Sequence, residues 1–302
     1  MILLIDAVEQ AILAQQTPLL TDYEIYLQAR AVVRAGEWDG QPIKRLPRAW
    51  DATRTRQLIG RLNSRRFLAP DPDFSSGMWR VLQSERSSPA AEAACIADPF
   101  CYVSDRSALD LHGLTLQPSP TLQLTRPARP LWNTDRDDRI AADVERLEFQ
   151  DAASLFFRPN VMETLRRRPV ISRETRHPAQ TKTIADERTR VACIGDAFAN
   201  TLAEPGLCGG MSEVLEIWER HAGAHLEAII EGVEATDSKI VKVRAGYILT
   251  ERLDIQDPRI EAWRSCAQRG GSRRLDPDAP YRPVFSEDWM ISLNVDREDS
   301  SA

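Results

Sequence analysis

The order in which hydrophobic periods follow one another over the first 82 residues limits the fold more than any other feature of this chain. Residues 1–16 place Leu4, Ile5, Val8, Ala11 and Ile12 at helical spacing, and Pro18 stops any continuation past Thr17. Thr21 and Glu24 then stand three apart, the capping-box spacing in which each side chain satisfies a backbone N–H of the other. A second helix is therefore expected from Asp22, with Ile25, Ala29, Val32 and Val33 on its apolar face. A turn rich in Gly36, Gly40, Pro42 and Pro47 separates it from a third run. There Ala52, Leu58, Ile59 and Leu62 recur every three or four residues behind Asp51, a residue suited to capping a first turn. Residues 67–82 hold two short apolar runs around Pro70, Pro72 and Gly77, the pattern of a β-hairpin.

The third run also concentrates charge. Between residues 44 and 66, Lys44, Arg45, Arg48, Arg54, Arg56, Arg61, Arg65 and Arg66 are opposed only by Asp51, although the 302-residue chain has a net charge of −6. On a helix starting at Asp51, the side chains of Thr53, Arg54, Gln57, Arg61 and Ser64 fall opposite the apolar face. Three helices and a hairpin in this order predict a winged helix-turn-helix over residues 1–88, with the third helix in the major groove of double-stranded DNA. Gln57 suits adenine and Arg54 or Arg56 guanine, while Arg45, Arg48, Arg61, Arg65 and Arg66, with Arg80 on the wing, suit phosphates. A solvated amphipathic face is the plainer reading of an isolated basic cluster. Its place as third helix before a hairpin favours the nucleic-acid reading.

Composition bounds the rest. The length suggests two domains, and 42% hydrophobic content is enough for buried cores. No run approaches the ~18 apolar residues of a membrane span, and residues 1–5 lack a basic leader, so a cytoplasmic location and no membrane partner are expected. Five scattered cysteines without a CxxC pair indicate neither a disulfide framework nor a zinc knuckle.

The segment SERSSPA breaks the pattern after the hairpin, so a second, larger domain is expected over residues 89–302, mixed α and β. The overall expectation is an α+β, predominantly helical chain. Residues 90–97 read as a short helix, and Ser104 caps another that Gly113 ends. Strands are expected at 121–125, 144–149, 170–174 and 180–184, then helices at 191–202, 211–221, 226–233 and 239–253. The tail from Gly270 reads as loop with a short strand at 289–295.

Four segments carry a family resemblance: YVSDRSALDLHGLT (102–115), IGDAFANTLAEPGLCGGMSEVLEIW (194–218), KVRAGYIL (242–249) and RGGSRRLDP (269–277). In this order they resemble the AbiEi family of antitoxins, over most of the chain. The resemblance implies an antitoxin of a type IV toxin-antitoxin, abortive phage infection system. It also implies two partners: the promoter of its own operon, bound at inverted repeats by the N-terminal domain, and a cognate nucleotidyltransferase-fold AbiEii toxin, counteracted by the C-terminal domain. The stretch ADERTRVACIGDAF (185–198) departs from the more widespread form of the second block and suggests a subgroup with a longer C-terminal extension.

Read without the resemblance, the same blocks are plainer. Pro205, Gly206, Gly209 and Gly210 suit a packing corner between helices better than a phosphate loop, and Lys239, Lys242, Arg244 and Tyr247 suit a solvated or toxin-related surface. Catalytic residues, metal and cofactors are not expected. His221 and His225 lack the glutamate of HExxH and flank Gly223, and no GxSxG or Glu-x-Lys pattern occurs. The alternative function is a stand-alone transcriptional regulator with a sensor domain.

Overall fold

The capping box at Thr21 sets the first boundary of the fold. In the computed structural model, Glu24 N–H donates to Thr21 Oγ1 at 3.1 Å and Thr21 N–H donates to Glu24 Oε2 at 2.9 Å, which starts a helix at Asp22. The structure describes residues 1–116, 118–268 and 273–295. Two compact units divide the chain: residues 1–101, 125–178 and 184–190 form the first, and 102–124, 179–183 and 191–302 the second. The sequence separates 1–88 from 89–302, whereas the first unit also takes in two later stretches of chain.

In the first unit, helix α1 (Leu4–Ala14), helix α2 (Asp22–Ala35) and helix α3 (Ala52–Ser64) bury Val8, Ile12, Tyr26 and Leu62 against one another. The strand Leu19–Thr21 precedes α2 and pairs antiparallel with Met78–Val81, which pairs in turn with Leu68–Pro70. The hairpin expected over 67–82 is thus two strands of a three-stranded sheet. Its third strand is only three residues long, too short for a period of two to show. The connection between α2 and α3 is more than a turn. Glu37–Trp38 and Gln41–Lys44 form a hairpin, and Ile2–Leu3 joins it in parallel through Ile2 opposite Ile43.

The later stretches of the first unit enlarge this core. Helix Arg129–Asp143, which the sequence leaves unassigned, buries only Trp132 and Ile140, so it lacks a full apolar stripe. Trp132 packs edge-on against Phe100 and Phe156 at 5.6 and 5.9 Å between centroids. Residues 144–149 are not the expected strand. Glu148 N–H donates to Glu145 O at 2.9 Å, turning the chain into the helix Phe149–Ala153, while Glu148 pairs with both Arg30 and Arg34 of α2 and Glu145 with Arg34. The strand expected at 170–174 is present as Arg168–Thr175.

The second unit is built on helices Ile194–Ala203, Met211–His221, Leu226–Ala235 and Lys239–Tyr247. A Cβ on Gly195 would lie 1.8 Å from Ala228 O, and one on Gly232 would lie 2.3 Å from the Gly195 carbonyl carbon. The two helices therefore touch backbone to backbone at these glycines. Trp218 stands edge-on to Phe198 at 5.2 Å, and its indole N–H donates to Thr201 Oγ1 at 3.0 Å. The run expected as one helix over 239–253 ends in a π-helical turn at Ile248–Arg252, and the strand expected at 289–295 is the pair Ile291–Ser292 against Phe285–Ser286. Taken together, the described residues are α+β and predominantly helical.

Candidate nucleic-acid interface

Helix α3 starts where its cap dictates. Asp51 accepts the Arg54 N–H at 2.8 Å, and the Arg54 guanidinium closes onto the same carboxylate. The apolar stripe Ala52, Leu58, Ile59 and Leu62 is buried, so the opposite face is turned out. All ten side chains expected to meet DNA (Arg45, Arg48, Thr53, Arg54, Arg56, Gln57, Arg61, Arg65, Arg66 and Arg80) belong to exposed residues.

The fold brings only some of them together. Arg45, Arg54, Gln57 and Arg61, with Lys44, line one groove of about 400 Å3 beside α3. Its apolar wall is made by Leu3, Ile5, Pro47, Trp50 and Leu58. The pairing of Ile2–Leu3 with Gln41–Lys44 creates this wall by laying the first residues of the chain along the loop that leads into α3. Sequence reasoning missed Leu3, Ile5 and Trp50 as site residues. The only signal was an aromatic residue inside a basic run, whereas the parallel pairing leaves no local trace.

The other expected residues are placed differently. Arg56 donates to the Ser154 carbonyl and hydroxyl at 3.4 and 3.3 Å. Arg65 pairs with Asp6 at 2.8 Å and Glu9 at 3.0 Å on α1. At the start of α3, Ala52 N–H donates to Asp151 at 3.3 Å, so a carboxylate already sits where the helix end attracts anions. Arg80 lies in the strand Met78–Val81 and lines a separate groove with Arg166 and Arg167. The hairpin connection there is clamped: Arg166 grips the 1%-exposed Asp71 at 2.6 and 2.9 Å and also pairs with Asp73. Among the described residues, the side chains of Arg45, Arg48, Arg61, Arg66 and Arg80 make no hydrogen bond or ion pair within the chain.

Two of these free arginines carry backbone strain. Arg45 has φ 54° and Arg66 φ 56°, left-handed conformations that cost a non-glycine residue about 1–2 kcal/mol. Arg66 occupies the position after α3 where glycine is usual: Phe67 N–H donates to Leu62 O and Arg66 N–H to Asn63 O, both at 2.9 Å. Trp50 adds a polar cost, because its buried indole N–H has no acceptor among the described residues.

The residues singled out in the second unit have structural work. Arg244 is 5% exposed and donates to Leu202 O at 2.6 Å and Arg274 O at 3.0 Å, and Tyr247 is also buried. The solvated or toxin-related surface expected around them is therefore not formed by these two side chains. His112 Nε2–H donates to Ala192 O at 2.8 Å, which puts a ring proton on Nε2, and burial pulls the imidazole pKa below its usual value against the opposing pull of that hydrogen bond. His221 ends one helix while His225 sits in the following 3-10 turn, so the spacing of four does not run along one continuous α-helix. Of the fourth resemblance block, residues 269–272 lie outside the described residues, as does Gly270 at the start of the expected tail. Among the described residues, no helix is long and apolar enough to cross a membrane.

Comparison with known proteins adds little. No family model matches, and no curated protein matches. Among solved structures, the crystal structure of the RV2827C protein from Mycobacterium tuberculosis aligns with 12% identity and a TM-score of 0.47, over 95% of this chain and 90% of that one.

Proposed function

We propose that this chain is a DNA-binding autorepressor and antitoxin of the AbiEi kind, working beside a nucleotidyltransferase-fold toxin in the cytoplasm. The observation that carries the DNA half is the convergence of Lys44, Arg45, Arg54, Gln57 and Arg61 on one groove, with the cations of Arg48 and Arg66 unpaired among the described residues. The order helix, strand, helix, helix, hairpin, with the short hairpin of residues 37–44 inserted between α2 and α3, supports a winged helix-turn-helix in which α3 is the reading helix. The clamped hairpin and the Asp151 carboxylate put the emphasis on the face carrying Arg54, Gln57 and Arg61 rather than on the one carrying Arg56.

The antitoxin half rests on the resemblance of the four sequence blocks. Its test is co-expression of the whole chain with the neighbouring nucleotidyltransferase gene, where restored growth is expected. Unrelieved toxicity, or no such neighbour, would leave a stand-alone regulator. The DNA half is tested by a gel-shift titration on the chain's own upstream DNA against a scrambled duplex. If about five cations meet phosphates, log affinity falls with log salt with a slope of about −4 to −5. Equal binding to both duplexes, or none, would sink the repressor reading.

A further inference from the structure

Base edges in the major groove offer few apolar partners beyond the thymine methyl, yet the groove beside α3 carries an apolar wall. Leu3 is 50% exposed there, and Ile5, Pro47, Trp50 and Leu58 continue the apolar surface under a basic rim. We infer that this groove binds a nucleoside monophosphate and that the bound nucleotide excludes DNA from the same cations. The exclusion rests on the DNA reading of α3; the nucleotide site itself does not.

The walls specify the ligand. Lys44, Arg45, Arg54 and Arg61 exceed what a single carboxylate needs and suit a phosphate, whose oxygens accept several charge-assisted hydrogen bonds. The apolar wall calls for a flat, weakly polar body attached to that anion. Gln57 lines the same groove, and its amide both donates and accepts, as the edge of a base requires. A volume of about 400 Å3 lies at the small end of ligand sites, which run from about 300 to 1,000 Å3, and matches one nucleotide rather than a long acyl chain. Arg45 holds a left-handed backbone at the rim, and its side chain has no partner among the described residues, the kind of outlier that persists where a ligand uses it. The unpartnered Trp50 N–H makes the same stretch of wall incompletely satisfied.

The test is calorimetric titration of the full chain with three probes: adenosine monophosphate, adenosine and inorganic phosphate. The nucleotide is expected to bind at least about ten-fold more tightly than either fragment, because only it engages both walls. Arg45→Gly removes one cation and relieves the left-handed residue, so nucleotide affinity should fall about ten-fold while the thermal midpoint holds or rises. Phosphate binding as well as the nucleotide would reduce the groove to a plain anion site and overturn the inference. So would silence from all three probes, or an unchanged affinity in Arg45→Gly.

A gel shift with and without saturating nucleotide separates this inference from the DNA reading. Release of the duplex supports exclusion, and a duplex that stays bound beside bound nucleotide refutes it. Nucleotide binding to a chain that shifts no duplex would keep the site and remove the DNA reading; the reverse result would keep the DNA reading and remove the site.

Discussion

Arg61 in the first unit is exposed and makes no ion pair or hydrogen bond through its side chain among the described residues, whereas Arg244 in the second is buried and holds the carbonyls of Leu202 and Arg274. Burial pulls the Arg244 pKa down, with Asp276 and Asp278 opposing that pull. An exposed guanidinium keeps its hydration and contributes little to stability, so its donors remain available to a partner. A buried one has given up water and must be fully used inside the chain. Identical side chains therefore mark opposite roles, and burial with internal partners tells them apart.

The largest effect expected from this contrast is on Arg244→Ala. It leaves the Leu202 and Arg274 carbonyls unsatisfied and opens a cavity, and should cost about 3 kcal/mol in a urea titration. An unchanged midpoint would mean that the guanidinium is not a brace. Arg61→Ala should shift stability by less than about 0.5 kcal/mol but make the salt dependence of DNA binding shallower by about 0.9. Loss of folding with no change in that slope would reverse the assignment.

Arg66→Gly sharpens the comparison further, because it should act in opposite directions on the two properties. Removing a left-handed side chain should stabilise the fold by about 1 kcal/mol, while DNA binding weakens for every sequence alike. Stability and affinity moving together would break the claim that Arg66 is kept for an external partner.

The smallest effect concerns pH. Arg30, through its hydrogen bonds to Glu148, holds that carboxyl below the ordinary value of 4.5, against the opposing pull of burial. The unfolded chain then binds more protons in acid than the folded chain. The pair's contribution is present above about pH 4.5 and is lost as pH falls through the lowered value. Denaturation midpoints compared between about pH 6 and about pH 3 should drop less for Glu148→Gln than for the parent chain. Parallel curves would remove Glu148 from the acid response.

Much of the first unit was legible in local sequence. The capping box at Thr21, the Asp51 cap and the apolar stripe of α3 are interactions between residues three or four apart, and the folded chain contains each of them. What escaped was built from distant or very short pieces. The Leu19–Thr21 strand pairs with Met78–Val81, nearly sixty residues away, and three residues cannot display a period. Helix Arg129–Asp143 buries only two residues, so its sequence resembled solvent-exposed loop. Arg244 and Tyr247 looked like surface because charge and hydroxyl ordinarily are, and only the packing of their helix against the rest of the second unit put them inside.

By itself the sequence determined where helices α2 and α3 begin, that the chain mixes α and β, and that positive charge gathers between residues 44 and 66. Caps, periods and charge are properties of neighbours along the chain, so no tertiary knowledge was required. The tertiary structure decided which of those cations remain free. It turned Arg65 toward Asp6 and Glu9, set Arg56 on Ser154, and gathered Lys44, Arg45, Arg54 and Arg61 around an apolar wall contributed by the first residues of the chain. Ion pairs and grooves depend on distances in space between residues far apart in sequence, and chain entropy leaves those distances unspecified until a core fixes them.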